Sequence, residues 1–266
     1  MNVTDPAFAQ WQSTAQSGEL EYHVSKKPKP DRKLEKLNRL LFESFGFKEN
    51  DFAGKTVVDI GAGSHLRTRF FTGSQVHAVE PLADAYMEQI PWCELKHANV
   101  IHTIPAEQHI DELAGKADLV VCINVLDHTY DPETILDNIH SYLHEDGQFL
   151  LSVDLHGDTS DGMHPIELTD TSLADMLIEQ RFTIDHGYRY LSHRRSYGHG
   201  DALTFVAHKR RADEPQENSV TIQDLRTPGQ LRTERLFLRG HSICRRIKRV
   251  LTGESRTVRR LLGRAA

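Results

Sequence analysis

Cysteine is scarce in this chain. Cys93, Cys122 and Cys244 are odd in number and far apart along 266 residues, which leaves no disulfide framework and no Cys-based zinc spacing. Cys122, inside the apolar stretch ADLVVCINVL, reads as a small core residue. No apolar run reaches bilayer-spanning length, and the opening MNVTDPAFAQWQSTAQSGEL lacks the basic-then-apolar order of a secretory signal. A soluble, cytoplasmic protein is the expectation. Internal repeats and long low-complexity tracts are also missing. With 38% apolar and 26% charged residues, the chain has the composition of one sizeable globular domain plus extensions. Its net charge of −6 hides an asymmetry: residues 231–266 hold 11 Arg or Lys against two Glu, net +9, which leaves −15 on residues 1–230.

Hydrophobic periodicity divides the chain into five parts. Residues 1–30 read as an irregular, flexible arm or partial lid ending in the basic SKKPKP. Within residues 31–54, Leu34, Leu37, Leu40, Leu41 and Phe45 fall at helical intervals behind a possible Asp31 cap, predicting a helix that covers an edge of the adjoining domain. From 55 to 210 short apolar strands (TVVDIG, QVHAVE, ANVIHTI, DLVVCIN, QFLLSVDL) alternate with helical patterns (ADAYMEQI, AEQHIDELAG, PETILDNIHSYLHEDG). Such alternation predicts an α/β, doubly wound, mostly parallel sheet. After a helix over TDTSLADMLIEQRF, the strands TIDHGYRYL and ALTFVAHKR have no helix between them and are expected to form an antiparallel terminal hairpin. Residues 211–230 read as a polar linker and 231–266 as a basic amphipathic helical tail.

The chemistry starts at VVDIGAGSH, residues 57–65, where an apolar strand ends in Asp59 and runs into Gly61 and Gly63. A dinucleotide fingerprint would put a third glycine where Leu66 stands, and Asp59 would oppose a pyrophosphate. An NAD-dependent dehydrogenase is therefore disfavoured. Glu80 comes nineteen residues after Gly61 at the end of QVHAVE, where a carboxylate can accept both hydroxyls of a ribose. The alternative reading is an acidic strand end in solvent. A ribose, no pyrophosphate and a nearby carboxylate together suit a nucleoside carrying positive charge.

On these residues the chain resembles the class I S-adenosylmethionine-dependent methyltransferases over about residues 55–210. VVDIGAGSH is similar to that family's glycine-rich first motif, HAVEP to its second, IPAEQ to the stretch bordering adenine, ADLVVCINVLDHTYDPETIL to its fourth, and HEDGQFLLSVD to its turn and fifth strand. The family's third glycine falls at His65. The resemblance implies a seven-stranded Rossmann-like sheet and S-adenosylmethionine as cofactor, held by Asp59, Gly61, Gly63, Glu80, Pro81, Glu107, Asn124 and Val125. It also implies methyl transfer in line from a sulfonium to an acceptor placed on the methyl axis.

A hydroxyl acceptor has to lose its proton, and histidine is the usual base near neutral pH. Asp127 and His128 after the fourth strand, and His156 and His164 after the fifth, are the catalytic candidates, with Asp154 or Asp127 orienting a ring. For His128 cofactor-side packing competes with catalysis, and for His156 and His164 an ordinary loop role does. The run N-x-x-D-H plus a distant histidine is similar to the metal-holding E-x-x-E-H pattern of small-RNA and ubiquinone-pathway O-methyltransferases, but Asn124 replaces the first carboxylate, and no metal is assigned. The expected acceptor is a hydroxyl of a small molecule or glycan. In the tail, Ile243, Ile247, Val250 and Leu251 form a stripe beside Arg245, Arg246, Lys248 and Arg249. Peripheral contact with an anionic membrane and docking on the acidic body rank equal, with nucleic acid lower because only Phe237 is available to stack on bases. The competing functional reading is a catalytically silent methyltransferase-like module acting through this tail.

Overall fold

The computed structural model describes residues 9, 11–26, 28, 31–155, 166–191, 201–215 and 220–225. Among these residues eight strands form one sheet in the order β3-β2-β1-β4-β5-β7-β6-β8. They are β1 (Thr56–Ile60), β2 (Gln75–Val79), β3 (Val100–His102), β4 (Ala117–Ile123), β5 (Leu143–Asp154), β6 (Phe182–Leu191), β7 (Asp201–Lys209) and β8 (Ile222–Asp224). The pairs from β3 across to β5 are parallel, whereas β7 runs antiparallel to both β5 and β6. Strand order reverses between β1 and β4, which opens a crevice beyond their C-terminal ends, the usual ligand position in open α/β sheets.

Among the described residues five α-helices accompany the sheet: α1 (Ser17–Ser25), α2 (Asp31–Ser44), α3 (Ala83–Gln89), α4 (Pro132–Tyr142) and α5 (Asp170–Glu179). None of the described helices is long and apolar enough to cross a membrane. Two start on clear local signals. Asp131 caps α4 by accepting from the Thr134 amide at 3.0 Å, with Pro132 in the first turn. Thr169 and Ser172 form a reciprocal capping box at the start of α5.

Strand alternation sends side chains to two cores. Val58, Ile60, Val120, Cys122 and Leu151 meet Ile135, Leu136 and Ile139 of α4 and Leu173 and Leu177 of α5. On the other face, Val57, Leu119, Val121, Leu150 and Val206 meet Phe42, Phe45, Phe47, Phe71 and Tyr86. Each such side chain, fully buried, is worth about 1.5–3 kcal/mol.

Four local differences from the sequence reading have physical causes. The sheet has eight strands, not seven, because Ile222–Asp224, inside the stretch read as linker, adds to the open edge of β6 in parallel register. Helix α2, read as covering an edge of the domain, packs Phe42, with Phe45 just past its end, into the core that also holds Val57, Leu119 and Val121 of the sheet. AEQHIDELAG yields only a 3-10 turn, Asp111–Leu113. Residues 11–25, read as irregular, are helical: a π-helical turn Trp11–Gln16 leads straight into α1. With little apolar periodicity of its own, that segment takes its helix from packing, chiefly His23 stacked on Tyr86 at 4.7 Å.

Candidate functional site

A cleft of about 1000 Å³, measured out to its open mouth, lies over the crevice between β1 and β4. Its floor is the turn after β1. Gly61 and Gly63 have φ of +62° and +60°, and a Cβ on Gly61 would stand 2.3 Å from Val125 Cγ2. Only glycine lets the β1 turn and the β4 turn approach so closely. Leu66 adopts φ +31° while fully buried, so the chain accepts backbone strain to put that side chain in the core. His65, at the position of the family's third glycine, stacks on Trp92 at 4.8 Å and borders the cleft.

Glu80 ends β2 with its carboxylate almost wholly buried. One oxygen accepts from the Gly63 amide at 2.9 Å and the other from the Leu82 amide at 3.0 Å. Burial pushes its carboxyl up to about 7 against those two hydrogen bonds, and the Glu19 and Asp59 charges push the same way. Pro81 and Leu82 continue this wall. Asp59 lies behind the turn rather than in the cleft wall, accepting from the Thr68 hydroxyl at 2.6 Å. Burial raises its carboxyl to about 6, opposed by that bond. Asp59 therefore shapes the loop from beneath.

On the β4 side, Asn124 takes a left-handed conformation at φ +54°, which an asparagine tolerates. Its amide donates to Asp154 Oδ2 at 3.0 Å and its Oδ1 accepts from the Asp154 backbone amide at 3.0 Å. This pair ties the ends of β4 and β5, so Asp154 is engaged with Asn124. Val125 comes next in the wall. Glu107 is buried and accepts a short hydrogen bond from the Thr129 hydroxyl, with its carboxyl raised by burial. His128 lines the cleft, with Nδ1 3.7 Å from Glu19 Oε1 and Nε2 3.5 Å from Asp127 Oδ2. Asp127 itself is 1% exposed and stands behind the ring. His156 and His164 lie outside the described residues.

The remaining wall comes from the N-terminal helical segment, which the sequence reading took for an irregular arm or partial lid without naming any of its residues for the site. Trp11, Ala15, Glu19 and His23, spaced every four residues, face the cleft together with Gln16 and Lys26. The Trp11 indole donates to the His128 carbonyl at 2.8 Å, and its ring meets Tyr130 edge-on at 5.2 Å. His23 Nδ1 lies 2.7 Å from the Ser64 hydroxyl, and its Nε2 3.5 Å from Glu19. Burial would raise the Glu19 carboxyl, but the hydrogen bond with His23 and the charges of His128 and Lys26 hold it down at about 2. The segment thus spans from the β1 turn to the β4 turn across the mouth.

A methyltransferase-domain family model matches residues 30–202. Among curated proteins, the chain is 33% identical over 106 residues to a ubiquinone biosynthesis O-methyltransferase of Pseudomonas paraeruginosa, covering 38% of this chain and 44% of that one. It is 30% identical over 123 residues to the corresponding protein of Glaesserella parasuis, covering 44% and 52%. The match thus spans about half the length of these relatives. Among solved structures, it superimposes on a Burkholderia thailandensis 1,6-didemethyltoxoflavin-N1-methyltransferase bound to S-adenosylhomocysteine, with a TM-score of 0.50 and 19% identity over 76% of this chain and 87% of the other. The [4+2]-cyclase SpnF gives a TM-score of 0.55 at 13% identity over 76% and 96%. Likeness at such identities speaks for the fold, and the different activities of these two proteins show that the fold alone does not choose the reaction.

Proposed function

We infer that this chain, which belongs to the class I S-adenosylmethionine-dependent methyltransferases, transfers a methyl group to a hydroxyl oxygen of a small molecule. The cleft residues fit the cofactor. The Gly61 and Gly63 turn lines the cleft with backbone, and Glu80, whose two oxygens each accept from one amide, keeps a second lone pair on each oxygen that ribose hydroxyls can meet. Of the other residues lining the cleft, Pro81 would pack beside the ribose, Glu107 and its adjacent backbone would border the adenine, and Asn124 and Val125 would flank the sulfonium. Asp59 acts through Thr68 on the loop. Bound S-adenosylmethionine supplies an electrophilic methyl group on sulfur.

The observation that carries the oxygen preference is the setting of His128, an imidazole in the cleft wall within ion-pair range of Glu19 on one side and Asp127 on the other. Asp127 can hold the Nε2 side of the ring, so that Nδ1, on the cleft side with Glu19, takes the proton from an acceptor hydroxyl while both carboxylates supply countercharge. Positioning that hydroxyl against the methyl axis falls to the wall formed by Trp11, Gln16 and Glu19. Curated relatives named for O-methylation support the same reading. His156 and His164 remain candidate second bases on sequence grounds alone.

The test offers purified protein and labelled cofactor to panels of phenols, sugars, amines and nucleic acid, and locates the methyl group by NMR. Methyl on oxygen of a small molecule is the expected product. Methylation confined to nitrogen, carbon or nucleic acid would overturn the proposal, and cofactor binding without transfer to anything would favour the silent module. His128→Asn should lower kcat by about 100-fold and leave the cofactor Kd within about threefold. A glycan acceptor and contact of the basic tail with anionic lipid rest on the sequence alone, and residues 231–266 lie outside the described residues.

A further inference from the structure

Away from the cleft, at the β3 edge of the sheet, three side chains converge that the transfer reaction does not use. His77 of β2 and His102 of β3 lie on one face, because His102 pairs with Val79, two residues beyond His77. Their rings stack at 5.6 Å with 15° between planes, and His77 Nδ1 stands 3.3 Å from His102 Nε2. Glu112, on the 3-10 turn Asp111–Leu113, brings Oε1 to 3.6 Å from His102 Nε2. Leu113, 1% exposed in the core, anchors that turn. The three ligand atoms all lie within 4.8 Å of one another.

We propose that His77, His102 and Glu112 form a binding site for a divalent cation of the zinc class, with a fourth position open to solvent. The spacing supports this. Bonds of about 2.0–2.1 Å at the tetrahedral angle separate neighbouring ligand atoms by about 3.3–3.4 Å, close to two of the three separations, 3.3 and 3.6 Å, while the His77–Glu112 pair lies within 4.8 Å and would close slightly on an ion. Two imidazoles and one carboxylate are the donor set for zinc rather than for magnesium or calcium, which take oxygen. Both imidazoles are partly buried, which sets the two nitrogens at the base of the site while Glu112 reaches in from the exposed turn. The competing cation is Lys116, whose exposed side chain can swing into solvent. A bound ion would clip the three-residue edge strand β3 to β2 and to the turn beyond it. The His102 carbonyl also accepts from the Glu80 amide at 3.0 Å, so the clip would sit one residue from the ribose carboxylate.

Chelator-treated, untagged full chain should be titrated with zinc chloride by calorimetry and with cobalt chloride by visible absorption. One saturable site of micromolar affinity, a tetrahedral cobalt band and a higher Tm with zinc are expected. Glu112→Gln, a surface change that leaves folding intact, should weaken zinc binding about tenfold, and His77→Ala should remove the band. No saturable binding below about 100 μM, or binding and Tm shift unaltered in Glu112→Gln and His77→Ala, would overturn the site and leave the two rings as a hydrogen-bonded pair.

Discussion

Glu80 should make cofactor affinity depend on pH, with a predictable sign. Its carboxyl rises from 4.5 to about 7 because burial disfavours the charge. That shift amounts to roughly 3 kcal/mol at 1.36 kcal/mol per unit, and with the residue only 5% exposed there is little screening to discount. Ribose hydroxyls donating to the carboxylate favour its ionised form, so the cofactor selects the deprotonated protein. Below pH 7 binding has to release a proton, and affinity should fall toward tenfold per unit; at pH 6 the Kd should be about tenfold above its plateau. For stability the sign is opposite to that of an ordinary paired carboxylate. Between pH 4.5 and 7 the folded state holds a proton that the unfolded state lacks, so this contribution to stability falls as pH rises through that window. The assay is calorimetric titration with S-adenosylmethionine from pH 6 to 7.5, in two buffers of different ionisation enthalpy to count released protons. Glu80→Gln should bind more weakly with the extra slope gone, and without cofactor it should gain on the wild type in Tm as pH rises from 5 to 8. An identical pH slope in wild type and Glu80→Gln would refute the reasoning.

Two further perturbations probe the fold around the site. Gly61→Ala places a Cβ 2.3 Å from Val125 Cγ2 at φ +62°; overpacking and left-handed strain together should cost about 2–4 kcal/mol in thermal melts, with the steric share recovered in a Gly61→Ala, Val125→Ala double variant. His208 bridges Asp185 at 3.0 Å and Glu214 at 3.2 Å; burial lowers its pKa, but the bonds and charges of these carboxylates outweigh it and raise the net value. Its stabilising contribution is complete below the unfolded histidine value and lost as pH rises through the higher folded one. Melts between pH 5 and 8.5 should show this loss in the wild type, and its share should vanish in His208→Gln.

Several elements were legible because their signals are local. Strand alternation and the helical patterns of PETILDNIHSYL and TDTSLADMLIEQ depend on neighbours within a turn or two, and the structure carries them nearly as read; the Asp131 and Thr169 caps are equally local signals that were not used. Gly61, Gly63, Glu80, Pro81, Glu107, Asn124, Val125 and His128 do converge on one cleft. The wall from Trp11 to Lys26 escaped. Its four-residue spacing was present in the sequence, but the stripe mixes aromatic, acidic and basic side chains, and a search for apolar periodicity passes over it. Strand β8 escaped for a related reason, since Ile222–Asp224 is polar and short and becomes a strand only against β6.

The sequence by itself determined the layered α/β plan, the family and the cofactor turn, because period, caps and glycine spacing act through the backbone within a few residues. Tertiary structure alone decided which side chains meet. Glu19 came to His128 across 109 positions, Asp59 turned from ligand to Thr68, and His77 met His102 across a parallel strand pair. These pairings depend on strand order and on which face each side chain takes, and neither is written in the residues between them.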